Sequence, residues 1–235
     1  SRLFAFKKRM CAQMGLYATV CFAMSLGGRS PFKILISRST GNIEMPEFYL
    51  SYDPTTSLAS NQDTVPFRLT RNLEQFFTAF AVDGILTTAI TLAAIAAVQP
   101  QSNVVDFLHL QFRDDLAAWQ VDSVLRAERN AVRMSSEKSS GSSLPPALAL
   151  SDLQWHVEGN VAQATGRFRR IAPEEVMVQL EGLQGLAPGT AEYTYLDHDP
   201  TNLPRDVMGP AKELVAAATD AGNLSRMDPT YQPWY

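Results

Sequence analysis

Ser30 and Lys33 stand three residues apart in Ser30-Pro31-Phe32-Lys33, the spacing at which a serine nucleophile and an assisting lysine support acyl-enzyme chemistry. That chemistry also uses SDN and KTG companions, and neither string occurs in the chain, so the pair is not read as an acylation site. Metal chemistry has equally little to build on. His109, His156 and His198 are scattered, there is no CxxC, and Asp197-His198-Asp199 reads as a polar loop. No metal and no cofactor are expected. Cys11 and Cys21 fall in one helical run, about 15 Å of rise apart, too far for a disulfide, which weakly implies a reducing compartment.

The elements that would position any site are mostly helical. Apolar residues recur at helical spacing from Leu3 to Met24 and stop at Gly27 and Gly28, which predicts a long, mostly buried helix. Phe32–Ser37 and Ile43–Tyr52 flank the turn Thr40-Gly41-Asn42 and predict a small hairpin. Two helices are expected over 71–80 and 84–98, the second stopped by Gln99-Pro100, and one or two more over 104–129. The serine-, glycine- and proline-rich run at 135–146 has nothing to bury and reads as a linker. After it, Leu153, His156, Val157, Val161, Ala164 and Phe168 mark a helix pair or a helix kinked at Gly166 and Pro173. Pro210 opens a last helix, expected to close at Gly222, ahead of a tail rich in aromatics and proline. Trp119 and Trp155 are expected in the core.

With 46% hydrophobic and 19% charged residues in 235, the composition is that of a folded domain rather than a disordered chain. A net charge of -4 leaves no electrostatic footprint for nucleic acid, and Lys7-Lys8-Arg9 reads as the solvated face of a helix. The 14-residue apolar run 85–98 is too short for a bilayer, so no membrane contact is expected, and no signal peptide is read at the start. The chain reads as a piece of something longer.

Three strings in order, VPFRLTRN at 65–72, FRDDLAAW at 112–119, and a C-terminal helix followed by Trp234-Tyr235, resemble the phosphatidylinositol kinase-related kinases (PIKKs). The resemblance covers about two thirds of the chain. It implies a fold that is mainly α with a small β-hairpin, the C-terminal lobe of a protein-kinase-like fold with a C-terminal FATC helix. It also implies a division into a kinase-like lobe (1–134), a linker (135–150), a helical insertion and loop (151–202) and a FATC-like segment (203–235).

Active PIKKs carry LGDRHxxN and then DFG before the PFRLT string, and this chain has LGGRSPFK at 26–33 and EFY at 47–49 in those places. The correspondence puts Gly28 at the catalytic base, Ser30 at the histidine and Lys33 at the magnesium-binding asparagine, while Glu47 keeps a carboxylate at the DFG aspartate. Phosphoryl transfer needs the base, the metal ligands and the electrostatic stabilisation they provide. A glycine cannot accept a proton, and a lysine at the metal position repels the ion. The site is therefore expected to be degenerate, with no catalytic residue. Arg68 of the PFRLT string is expected to serve pairing or capping rather than substrate.

Within the family, this erosion and the NLSRMDP tail resemble the non-catalytic branch, whose role implies a nuclear scaffold. Its partners would be subunits of a histone acetyltransferase complex and transcription activators, with no direct nucleic acid contact. A divergent serine/threonine kinase using Glu47 with a displaced base is the alternative.

Overall fold

The computed structural model describes residues 2–27, 29–46, 48, 50, 52, 58, 64–77, 81–99, 101–135, 150–172 and 208–232. Of the expected linker 135–150 only Ser135 and Leu150 are described, both in helices, and the part of the expected insertion beyond residue 172 lies outside the described residues.

The first helix, α1 (Arg2–Ala23), buries the stripe Met10, Met14, Tyr17, Ala18 and Cys21, as its apolar period requires. It ends not at the two glycines but at Ser25, which adopts a left-handed φ of 50° while the Leu26 N–H returns to the Cys21 carbonyl at 3.0 Å. This is the six-to-one closure of a Schellman turn, made here by a serine. A short 3-10 turn (Pro31–Lys33) leads into the antiparallel strands β1 (Leu35–Ile36) and β2 (Ile43–Glu44), paired Leu35 with Glu44 and Ile36 with Ile43. Gly41 forms the turn with φ 77°, and a Cβ there would lie 2.9 Å from the Phe6 carbonyl, so both its conformation and its approach to α1 demand glycine.

Downstream are α2 (Arg71–Phe77), a π-helical turn (Ala81–Leu86) running into α3 (Thr87–Val98), and α4 (Val104–Ser135), a single helix where the sequence allowed two. A further helix, α5 (Leu150–Ile171), passes through Gly166 without a break, since a single exposed glycine costs a helix only about 1 kcal/mol. The chain then forms α6 (Gly209–Thr219), α7 (Ala221–Ser225) and a 3-10 turn (Pro229–Tyr231). The stop between α6 and α7 is Asp220, whose carboxylate accepts the Asn223 N–H at 2.8 Å, so Gly222 lies inside the next helix instead of closing the last one.

One core joins these helices. The centre is α3, packed on α1, α4, α5 and α6, and its Ile90 and Ala94 share one buried cluster with Leu86, Phe77, Phe112, Leu116, Val161 and Phe168. The crossing of α1 on α3 is close: a Cβ on Gly15 would sit 2.5 Å from the Ala89 Cβ, and Thr19 Oγ1 donates to the Ile90 carbonyl at 3.3 Å. Polar residues fasten α5 to its neighbours. The Asn160 Oδ1 accepts the Leu58 N–H at 2.7 Å, and Arg167 donates to the Ala23 carbonyl at 3.2 Å and to Ser25 Oγ, covering the open end of α1. Burial lowers the pKa of Arg167. Trp119 is half-buried, edge-on to Tyr52, but Trp155 is 70% exposed, because it lies on the solvent side of α5 next to the buried Val157 stripe. Among the described residues no helix is long and apolar enough to cross a membrane.

Candidate functional site

Of the four positions that sequence reading singled out, Gly28 and Glu47 lie outside the described residues. Ser30 and Lys33 lie in one surface turn, where the Lys33 N–H donates to the Ser30 carbonyl at 3.1 Å. Both are half-buried, and Phe32 between them is 81% exposed. The turn leads directly into the hairpin.

The floor is made by the two arginines of the motif strings. Arg29 is 4% exposed and donates from Nη1 to the Val65 carbonyl at 2.5 Å, joining the 26–33 segment to the start of the PFRLT string. Arg68 is 2% exposed. Its Nη1 donates to the Arg29 carbonyl at 3.1 Å and to the Tyr231 carbonyl, and its Nη2 to the Gln232 carbonyl at 3.2 Å. The Arg68 guanidinium also lies over the Tyr231 ring, 4.8 Å from the centroid. Burial lowers its pKa, with the nearby Tyr231 and Tyr17 opposing that shift. A guanidinium suits this position because its planar fork can serve several carbonyls at once, which an ammonium on a flexible stem does less well.

The C-terminal segment reaches this floor in two steps. Thr64 Oγ1 donates to the Asn223 carbonyl at 2.6 Å, fixing α7 beside the string. Asp228 then caps the final turn by accepting the Thr230 N–H at 2.8 Å, and Tyr231 is buried at 2% exposure behind Arg68. Hydrogen bonds from Thr230 hold the Asp228 carboxyl below its ordinary range. On the α1 side, burial followed by the adjacent Cys21 pushes the Tyr17 hydroxyl well above its usual value, and burial pushes the Cys21 thiol up to about 11.

A cleft of about 400 Å³ opens between α1, the 31–36 segment and α2, lined by Phe6, Met10, Met14, Ile34, Phe76 and Arg68 among others. Arg68 is the one ionisable group among its described lining residues, and that group already serves three carbonyls. Such a lining accepts hydrocarbon surface. The structural role expected for Arg68 is the one it has. Nothing local in the sequence points to Thr64, Asn160 or Arg167, whose partners lie 159, 102 and 142 to 144 residues away. The Asp-Pro pair at 228–229, an N-cap followed by a helix-opening proline, was the one local signal for the docked turn.

A helical chain whose motif arginines are built into the fold is similar, over nearly all its length, to transcription-associated proteins. The transformation/transcription domain-associated proteins of Homo sapiens and Danio rerio are each 25% identical over 229 residues, covering 97% of this chain and 5% of each relative. The SAGA complex/NuA4 acetyltransferase complex subunit Tra1 of Schizosaccharomyces pombe is 29% identical over 119 residues, 51% of this chain and 3% of that protein. The chain is thus similar to the transformation/transcription domain-associated protein and Tra1 group, and it spans about 5% of the length of the first two relatives. No family model matches it.

Proposed function

We propose that this chain is a non-catalytic segment, the C-terminal lobe of a PIKK-like pseudokinase with a docked FATC-like helix, within a large nuclear scaffold subunit of a histone acetyltransferase complex. The observation that carries the reading is the similarity across 97% of the chain to proteins named for transcription and, for Tra1, for the SAGA and NuA4 acetyltransferase complexes. The replaced motif positions support the pseudokinase part. Gly28 brings no base and Lys33 no metal ligand, and loss of several members of a catalytic unit removes about 10³-fold or more of the rate. The commitment of Arg29 and Arg68 to backbone carbonyls supports the same view, since it gives these motif residues a role that needs no reaction.

In this reading residues 1–134 form the lobe, 135–150 the linker, 151–202 an insertion and 203–235 the FATC-like segment. Partners are the other subunits of the acetyltransferase complex and the activators that recruit it. The intact protein is expected to transfer no phosphate from magnesium-ATP to protein substrates. Transfer that disappears in Glu47→Ala would instead establish the divergent kinase.

A further inference from the structure

Charge is distributed unevenly along the chain. Residues 1–43 carry seven of its 20 lysines and arginines and none of its 24 acidic residues, so residues 44–235 hold 13 basic against 24 acidic groups. The basic stretch folds into α1, the Pro31–Lys33 turn and β1, and these supply two walls of the cleft of about 400 Å³ whose third wall is α2. Leu3, Phe6, Met10 and Met14 follow one another on one face of α1, grading from Leu3, 61% exposed, to the buried Met14. Phe76 of α2 meets Phe6 edge-on with centroids 6.4 Å apart, and Lys7 Nζ stands over the Phe76 ring at 4.3 Å. Lys33 lies in the turn between the lining residues Pro31 and Ile34, and Arg2 and Arg9 flank the apolar face of α1 on the side away from Lys7. The neighbouring acids point elsewhere. Asn72, Leu73 and Phe76 line the cleft, which puts Glu74 on the other side of α2, and Glu44 stands opposite Leu35, on the hairpin face away from the lining Ile36.

We propose that this cleft is a docking site for an acidic amphipathic helix of another protein, whose apolar side chains enter between α1 and α2 while its carboxylates face Lys7, Lys33, Arg2 and Arg9. Walls of methionine and aromatic rings take aliphatic or aromatic anchors, and methionine adapts to anchors of different shape. A rim of one sign around an apolar recess concentrates the opposite charge and repels a basic peptide. A nucleic acid backbone or a lipid headgroup would use the cations and leave the recess empty. The inference does not depend on the proposed scaffold role, and its failure would leave that role untouched.

The test is fluorescence anisotropy of a labelled peptide titrated with the full chain. The probe is a designed helix with leucine and phenylalanine at positions i, i+3, i+4 and i+7 and glutamate elsewhere, and its controls carry lysine in place of glutamate or alanine in place of the anchors. The acidic peptide should bind saturably, with an affinity that falls as salt is raised, and each control should bind at least about tenfold more weakly. Ile36→Glu and Lys7→Glu, at partly exposed positions, should each weaken binding at least about tenfold, whereas Trp155→Ala, at an exposed apolar residue of α5, should change it by less than about twofold. The methyl resonances of Met10 and Met14 in the unsubstituted chain should shift when the peptide is added while that of Met208 stays in place, which locates the site even where a variant fails to fold. No saturable binding, equal binding of the lysine peptide, or unmoved Met10 and Met14 resonances overturns the proposal. So does tighter binding of duplex DNA or of phosphatidylserine vesicles than of the peptide, which would assign the basic rim to phosphates. A concentration-dependent dimer that is lost in Ile36→Glu would overturn it too, by assigning the cleft to a second copy of the chain.

Discussion

Arg68 and Arg29 illustrate how a residue can be required without being reactive. Their guanidinium groups are buried and serve backbone carbonyls, and hydrogen bonds to charged groups are each worth about 1.5 to 3 kcal/mol. Arg68→Ala is accordingly expected to destabilise the chain by about 3 kcal/mol, measured as a shift in the urea midpoint at unchanged slope. The structural role of Arg68 was legible in the sequence because the PFRLT string persists beside Gly28, Ser30 and Lys33. The identity of its acceptors was not, since Tyr231 and Gln232 lie more than 160 residues away. Trp155 shows the opposite limit. An apolar ring next to a buried helical stripe reads as core, yet one step around the helix turns it to solvent.

At the level of elements, glycine separates helices that touch from helices that do not. Gly15→Ala should cost about 1 to 3 kcal/mol by driving α1 from α3, since the new methyl would meet Ala89 at 2.5 Å. Gly159→Ala and Gly166→Ala, on exposed positions of α5 with open space around them, should each stabilise by about 0.5 to 1 kcal/mol. Thermal unfolding of the three variants checks both signs at once. Asn160→Ala removes the buried acceptor of the Leu58 N–H and should cost about 1 to 3 kcal/mol in the same assay.

The final turn adds a pH dependence. The Asp228 pKa is depressed in the fold, so its stabilising contribution is complete above the ordinary aspartate value and fades as pH falls through the lower folded value. Amide exchange at Thr230 and Tyr231 should therefore become faster in acid relative to the core of α3, and Asp228→Asn should flatten that difference. Helix existence and most helix bounds were legible from the apolar period. The end of α1 was not, because Ser25 rather than a glycine takes the left-handed position, and neither was the continuity of α4 and α5, which depends on packing.

On the scale of the whole molecule, α5 and the C-terminal helices share one core with α1 and α3, although residues 136–149 and 173–207 intervene along the chain. Within the proposed account the lobe and its docked tail form one load-carrying piece of a much larger scaffold, in which the strings inherited from a kinase position backbone instead of phosphate. The most direct test of that account is to purify the native protein containing this sequence from its own cells and identify what accompanies it. The account predicts stoichiometric acetyltransferase-complex subunits and histone acetyltransferase activity in the eluate. A protein that elutes without them, and phosphorylates substrates with magnesium-ATP, would contradict it.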